Sequence, residues 1–138
     1  MPVLSLDEIR SLCHQAVASV GASEQQAAAV ALEIMDAEAE GIRNVGLGYI
    51  HLYLKQLKSG KILGKAVPEV DSPSGVITRV DAGYGFCHTA YLAGEELLIG
   101  SAKNHGMGMM AIHRSSSAGV LGWFVRRLAQ QGLVGLMF

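Results

Sequence analysis

The chain has 138 residues, of which 50% are hydrophobic and 17% charged, and its formal net charge is −1 at pH 7. This balance excludes a disordered chain, and the absence of a basic excess excludes an electrostatic surface for nucleic acid. No apolar run approaches the roughly 18 residues of a membrane span, so we predict no membrane partner.

The first segment, MPVLSLDEIR, lacks the basic stretch and apolar run of a signal peptide, which predicts a cytoplasmic protein. Ser5 and Glu8 have the spacing of a capping box, in which each side chain accepts a backbone N–H of the other residue. Apolar residues then recur at helical spacing up to Gly21, which ends the helix. The sequence therefore opens with an amphipathic helix.

Two more helices are predicted before residue 60. Ser23 and Gln26 repeat the start signal, and a helix over about 24–40 follows. The glycine-rich GIRNVGLG ends it, and YIHLYLKQLKSG predicts a third helix that stops at Gly60. Residues 1–60 thus predict a small helical unit, and residues 61–75, with Pro68 and Pro73, predict a linker.

The pattern changes after the linker. The predicted elements are a strand at 76–82, a helix at 87–104, a strand at 108–113, a helix at 118–131 and a closing strand at 133–138. Apolar strands that alternate with helices are typical of parallel crossover units. The fold class is therefore predicted as α/β, an N-terminal helical unit followed by a truncated βαβαβ unit with a parallel-type sheet. A closing apolar strand without a neighbour would be an exposed edge, so we expect the chain to stop partway through that unit.

The apolar character of the chain also bears on assembly and on the cysteines. The mean hydropathy of +0.31 predicts that apolar surface is covered by a second copy, in a homo-oligomer such as a dimer, or by further chain. Cys13 and Cys87 have no metal-ligand spacing. We therefore predict two reduced core thiols and no metal site.

The segment AIHRSSSAGVLGWF, residues 111–124, carries the strongest candidate site. One interpretation is that one or two of Ser115, Ser116 and Ser117 cap the helix that follows, since a serine there accepts free N–H groups. The other is that the 115–119 loop binds a ligand, because a glycine-bearing loop at a helix N-terminus can hold a carboxylate or a phosphate. The loop also follows the carboxyl end of a strand, where ligands bind in parallel sheets.

Three stretches together resemble the malate/L-lactate dehydrogenase family, which includes ureidoglycolate dehydrogenase and cyclic imino-acid reductases. The first is DAEAEGIRNVGLGYIHLYLKQLKSGKI, similar to the family's G-x-D-S-H-G-x-x-R segment and the helix after it. The second is VDAGYGFCHTAYLAGEELLIGSAKNHGMGMMAIH, which resembles the D-G-x-x-G and A-x-x-H-G segments. The third is residues 111–124, set against S-N-H-F-G-x-L-G-aromatic. The resemblance runs from residue 5 to the end.

The resemblance implies a non-Rossmann oxidoreductase that uses NAD or NADP, with residues 76–138 as an incomplete nucleotide-binding unit. It places Ser115 and Gly119 at the cofactor. It also shows departures, since the family's two histidines fall on Val45 and Ser117 and its arginine on Tyr49. A serine hydroxyl is a poor proton acceptor near neutral pH, whereas imidazole titrates there.

Two neighbours of the loop could supply the missing chemistry. His113 is a candidate proton donor, the other hypothesis being a residue of a partner subunit, and Arg114 is a candidate ligand for a substrate carboxylate. The alternative is that both are surface residues at a strand end. Two functions stay open: an oxidoreductase acting on a small 2-hydroxy or 2-oxo acid or an imino acid, with little or no activity as this short chain, or a truncated or diverged non-catalytic relative that serves as a binding or oligomerisation module.

Overall fold

The structure is a computed structural model that describes residues 3–138, so Met1 and Pro2 of the predicted helical unit lie outside the described residues. Helix α1 spans Leu6–Ser19 and begins with the predicted capping box. The Ser5 hydroxyl accepts the Glu8 N–H at 3.3 Å, and the Glu8 carboxylate accepts the Ser5 N–H at 2.7 Å. The prediction of this helix and its start is confirmed.

The other predicted helices of the first 60 residues are also present. Helix α2 spans Glu24–Ala39 and is capped by Ser23, whose side chain accepts the Gln26 N–H. A short 3-10 helix at Leu47–Tyr49 leads into α3, Ile50–Lys58. These three α-helices and two residues further along the chain form an apolar core made of Ile9, Cys13, Val17, Ala27, Val30, Ala31, Ile34, Tyr53, Leu57, Ile62 and Phe86.

A three-stranded sheet follows, in the order β1-β2-β3. Strand β1 is Glu69–Ser74, β2 is Ile77–Asp81 and β3 is Met109–His113. Helix α4, Cys87–His105, connects β2 to β3 as a crossover, and the two strands pair in parallel with Asp81 opposite His113. This βαβ unit matches the α/β prediction and brings the carboxyl ends of both strands to one edge.

Two predicted elements of the α/β unit need correction. Residues 61–75 were predicted as a linker, with no strand named there, but β1 lies within them and pairs antiparallel with β2. Its side chains are all exposed, so it shows no apolar alternation, and Pro73 is tolerated because β1 is an edge strand. The prediction of a closing strand is also wrong: residues 133–138 form no strand of the described sheet.

The last segment instead packs one of its two faces against helix α5, which spans Leu121–Ala129. Met137 packs against the buried cluster that contains Trp123 and Phe124, while Val134, Leu136 and Phe138 stay exposed. Exposed and partly buried side chains therefore alternate along this segment, as in a strand. A strand also requires a paired neighbour, and no strand within residues 3–138 pairs with it.

The helical layer packs directly on the α/β unit through α2 and α4. Gln26 is fully buried on α2, and its carbonyl accepts the Phe86 N–H at 2.9 Å and the Thr89 hydroxyl at 3.1 Å. Its amide donates to the Ala66 carbonyl at 2.7 Å. This side chain therefore ties α2 to the start of α4 and fixes the loop after β2. No helix within residues 3–138 combines the length and apolar character needed to cross a membrane.

Two glycines of α4 predict opposite effects of the same substitution. A Cβ at Gly94 would lie 2.8 Å from the buried Val80 side chain on β2, whereas a Cβ at Gly100 meets nothing within 4 Å. We expect Gly100→Ala to raise the free energy of unfolding by about 1 kcal/mol through helix propensity. We expect Gly94→Ala to lower it by about 1–3 kcal/mol, because the helix must move off the sheet. Urea unfolding of both variants measures this, and a gain for Gly94→Ala would show that the contact is loose.

Candidate active site

Three polar side chains meet at the carboxyl ends of the parallel strands. Asp81 ends β2 and His113 ends β3, and the next residue, Arg114, reaches back to Asp81. The Arg114 guanidinium forms a two-pronged pair with the carboxylate, in which Nε donates to Oδ1 at 2.8 Å and Nη2 donates to Oδ2. His113 Nε2 lies 3.4 Å from Asp81 Oδ2. The structure thus brings the two candidates His113 and Arg114 to one carboxylate that the sequence analysis did not single out.

The Asp81 carboxylate is the anionic centre of this group. The Arg114 hydrogen bond, followed by the Gly83 N–H, lowers its pKa to about 2, so it is ionised at neutral pH. Arg114 and His113 remain about half exposed, with side-chain accessibilities of 49% and 57%. Both side chains are therefore open to solvent and to a small ligand while they face Asp81.

The backbone around this group adopts unusual conformations. Arg114 has φ 51° and Tyr84 has φ 64°, the two non-glycine residues with positive φ among those described. The Tyr84 N–H donates to the Arg114 carbonyl at 2.6 Å, and the Arg114 guanidinium lies 5.3 Å from the centre of the Tyr84 ring. Such left-handed residues cost about 1 kcal/mol or more each and concentrate at functional sites. The strained pair fixes the start of the 115–119 loop.

The three serines do not cap the next helix. Helix α5 begins at Leu121 rather than at residue 118 as predicted, and Val120 is its N-cap without any side-chain cap bond. Ser116 instead faces inward: its N–H donates to the Gly85 carbonyl at 3.0 Å, and its hydroxyl accepts the Cys87 N–H at 3.3 Å. Ser115 and Ser117 are exposed. The capping interpretation is therefore wrong, because the helix starts too far along the chain.

A buried polar cluster, formed by Glu33, His88 and Tyr53, supports the far end of the loop. All three side chains are 0% exposed, and they come from α2, α4 and α3 respectively. The Glu33 carboxylate accepts the Val120 N–H at 3.1 Å, and the His88 Nε2 donates to the Ala118 carbonyl at 3.0 Å. Glu33 Oε2 lies 3.7 Å from His88 Nε2. We refer to these three residues as the buried triad.

Burial determines the protonation of the triad. Desolvation, opposed by the Val120 N–H and assisted by the charge of Asp36, raises the pKa of Glu33 to about 7. Desolvation lowers the pKa of His88 to about 4, so this imidazole is neutral at physiological pH. Desolvation, together with the charge of Glu33, also raises the pKa of Tyr53, which stays protonated. The triad therefore holds one group, Glu33, that titrates near neutrality.

The buried triad was not predicted from the sequence, although a signal for it was present. Gln26, Val30, Glu33 and Ala37 fall on one helical stripe of α2, and all four are buried. Glu33 thus lies on the inner face, while His88 follows Phe86 and Cys87 in an apolar stretch. A charged residue on an apolar stripe indicates a buried partner elsewhere in the fold.

The remaining predicted positions lie at the helical side. Val45, where the family resemblance places a histidine, is a half-buried residue of the turn between α2 and the 3-10 helix, and its side chain carries no ionisable group. Tyr49, where the family has an arginine, stacks edge-on against Tyr53 with ring centres 5.0 Å apart. Cys13 and Cys87 are buried and unpaired, which confirms the prediction of core thiols.

Comparison with known proteins gives one family and a consistent set of relatives. The family described as malate/L-lactate dehydrogenase matches residues 4–138. The (2R)-3-sulfolactate dehydrogenase (NADP(+)) of Chromohalobacter salexigens is 37% identical over 136 residues, which is 99% of this chain and 40% of that protein. The Δ1-pyrroline-2-carboxylate/Δ1-piperideine-2-carboxylate reductase of Pseudomonas putida is 33% identical over 129 residues, 94% of this chain and 38% of that protein.

A solved structure agrees with these relatives. The Δ1-piperideine-2-carboxylate reductase of Pseudomonas syringae pvar. tomato superposes with a TM-score of 0.93 and 32% identity, over 96% of this chain and 40% of that one. The chain therefore spans about two fifths of the length of the relatives that it matches.

Proposed function

The chain belongs to the malate/L-lactate dehydrogenase family, and from that premise we propose that it is part of an oxidoreductase that uses NAD or NADP. Its substrate is a small 2-hydroxy or 2-oxo acid or a cyclic imino acid. The observation that carries this proposal is the group of Asp81, His113 and Arg114 at the carboxyl ends of two parallel strands, beside the 115–119 loop. The activities of the two relatives, a sulfolactate dehydrogenase and a cyclic imino-acid reductase, support it.

The loop residues fit a cofactor through their exposed groups. Ser115 and Ser117 are exposed residues, and serine hydroxyls bind phosphate or ribose oxygens. The Ser115 side chain also forms a hydrogen bond with the Cys87 thiol. Gly119 has φ 64° and lets the backbone turn at the end of the loop. When bound, NADH or NADPH supplies the hydride. In this proposal Ser115 and Gly119 belong to the cofactor site, with no role for the Val120 N–H, which Glu33 already binds.

The strand-end group supplies the acid–base and binding chemistry of the proposal. The planar guanidinium of Arg114 can donate to a substrate carboxylate. In doing so it gives up one of its two hydrogen bonds to Asp81. His113 is the proposed proton donor to the oxygen or nitrogen that receives negative charge after hydride transfer. Asp81 orients the imidazole from 3.4 Å. The division into a helical unit (1–60), a connecting segment (61–75) and an incomplete nucleotide-binding unit (76–138) is part of the same proposal.

A second candidate function is a non-catalytic relative that acts as a binding or oligomerisation module. The observation that favours it is the replacement of both family histidines, by Val45 and Ser117, neither of which transfers protons readily at neutral pH. A homodimer in the cytoplasm fits either function, and sedimentation velocity of the purified chain measures the assembly. A monomer at all concentrations would remove the dimer from the proposal.

We expect the chain to bind NADPH or NADH with a saturable change in nucleotide fluorescence, because the loop is presented on an ordered scaffold. Separate titrations of the two nucleotides measure this, with intact mass checked in the same sample. His113→Ala is expected to leave nucleotide binding within about threefold and to abolish any turnover of 2-oxo acids. An unchanged kcat would dismiss His113 as proton donor, and a folded chain that binds neither nucleotide would favour the non-catalytic module.

A further inference from the structure

The conformation of the 115–119 loop is set from inside the protein. Its last residues are held by two side chains that lie 87 and 30 residues away in sequence: Glu33 on the Val120 N–H and His88 on the Ala118 carbonyl. Between these two bonds lies Gly119, and a Cβ there would come within 2.9 Å of Glu33 and 3.2 Å of the Tyr53 hydroxyl. The loop end thus rests directly on the buried triad.

No side chain of the loop caps the N-terminus of α5. The N-cap Val120 has an apolar side chain, and the serines do not reach the helix N-terminus. In most helices a neighbouring Ser, Thr, Asp or Asn satisfies the first N–H groups. Here a carboxylate from α2 accepts the N–H of the N-cap residue Val120 itself, and the loop conformation therefore depends on how α2 and α4 pack.

A buried polar triad stabilises a core less than apolar side chains of similar volume would. Glu33 Oε2, His88 Nδ1 and the Tyr53 hydroxyl have no hydrogen-bond partner among the described residues although all three are buried. Unpartnered buried polar atoms each cost about 1–3 kcal/mol, and apolar residues of similar volume often pack with equal or greater stability. Stability alone therefore does not account for an ionisable pair at this position, whereas positioning of the loop does.

We propose that Glu33 and His88 are positioning residues that hold the 115–119 loop in its nucleotide-binding conformation from beneath. The proposal rests on the proposed function for the role of the loop, but the support of the loop by the triad is a separate statement. Deprotonation of Glu33 near neutral pH places a negative charge against the loop end, so the surroundings of Val120 and of α5 change with the protonation of this one carboxyl.

Other titratable groups near Glu33 are few. Asp36 of α2, Tyr53 of α3 and His88 of α4 lie near Glu33, while Tyr49 and Cys87 lie near Tyr53. Helix α5 contributes the rings of Trp123 and Phe124, while Arg126 pairs with Asp36 at 3.6 Å. Among these groups Glu33 is the one whose pKa is brought to about 7.

Trp123 provides a direct signal, because it is the single tryptophan of the chain and lies 5.8 Å from the His88 ring at the start of α5. We expect its emission to change with a midpoint of about pH 7, and Glu33→Gln to abolish that change. The matched control is Glu38→Gln, which alters a carboxylate on the same helix that also accepts a loop N–H, that of Leu47 at 2.7 Å. The control is expected to keep the transition. Persistence of the transition in Glu33→Gln, or its absence from the unmodified chain, would overturn the support of the loop by Glu33.

Nucleotide affinity tests the positioning role itself. The Glu33→Gln amide oxygen still accepts the Val120 N–H, so this variant is expected to bind NADPH within about threefold of the unmodified chain and without its pH dependence. Glu33→Met fills the same space but cannot accept the bond, and it is expected to weaken binding by about tenfold or more. Equal affinities for both variants would overturn the proposal. If the unmodified chain binds no nucleotide, the proposed function fails, and the tryptophan transition alone then decides whether the triad supports the loop.

Discussion

Replacing Glu33 by glutamine is expected to turn a stability that barely changes between about pH 4.5 and 6.5 into one that rises by about 3 kcal/mol across that window. The expectation follows from the two buried groups of the triad, whose pKa values move in opposite directions. Burial raises the pKa of Glu33 from its ordinary 4.5 to about 7 and lowers that of His88 from 6.5 to about 4.

The signs of the two contributions are opposite. The folded state holds the Glu33 proton more tightly than the unfolded state, so this contribution is complete below about pH 4.5 and is lost as pH rises through about 7. The folded state disfavours protonated His88, so that contribution is complete above about pH 6.5 and is lost as pH falls through about 4. In the shared window the two slopes cancel.

When one of the two residues is replaced, the pH dependence of stability that the other contributes is no longer cancelled. Glu33→Gln keeps the His88 contribution and becomes more stable as pH rises, while His88→Gln keeps the Glu33 contribution and becomes less stable over the same range. Each pKa unit corresponds to about 1.4 kcal/mol, which gives about 3 kcal/mol for each variant. Urea unfolding at several pH values, followed by circular dichroism, measures both profiles. If both variants kept profiles parallel to that of Glu38→Gln, the opposed titration of Glu33 and His88 would be excluded.

Local sequence signals predicted most of the helical architecture, because the start of a helix is encoded within a few residues. The Ser5–Glu8 capping box and the Ser23 cap mark the beginnings of α1 and α2 in both sequence and structure. The parallel pairing of β2 and β3 follows from the helix between them, since a crossover connection permits little else.

Strands, which depend on a distant partner, were predicted less well: one was missed and one was predicted where none forms. Strand β1 has six exposed residues and a proline, so only its pairing with β2 identifies it. The segment 133–138 has the alternation of a strand but lacks a paired neighbour. In each case hydrogen bonds to another segment, rather than local preference, determine whether a strand exists.

The candidate site divides in the same way. His113, Arg114 and the serines stand in consecutive positions, so sequence alone grouped them. The buried triad joins α2, α3 and α4, and α2 contacts the loop only after the helices pack. The triad is therefore visible only in the folded protein, although Glu33 already stands out in the sequence as a charged residue on the inner, mostly apolar stripe of α2.

Gly119→Ala is expected to lower the free energy of unfolding by about 2–4 kcal/mol, a large effect for one methyl group on a half-buried loop. The φ of 64° at Gly119 lies in the left-handed region, which costs a residue with a Cβ about 1 kcal/mol. The added Cβ would also lie 2.9 Å from Glu33 Oε1 and 3.2 Å from the Tyr53 hydroxyl. Both groups are fully buried and cannot swing aside without loss of packing.

The matched control is Gly122→Ala, three residues further on in α5. Its Cβ would come no closer than 3.7 Å to Val120, and Gly122 is not among the positive-φ residues, so helix propensity should make this variant equal to or more stable than the unmodified chain. Thermal unfolding of the two variants measures the difference. Because the methyl at position 119 pushes against the carboxylate that holds Val120, it should also shift the pH midpoint of Trp123 emission, whereas Gly122→Ala should leave that midpoint in place. A Gly119→Ala protein with unchanged stability and an unchanged midpoint would mean that the loop end does not rest on the triad.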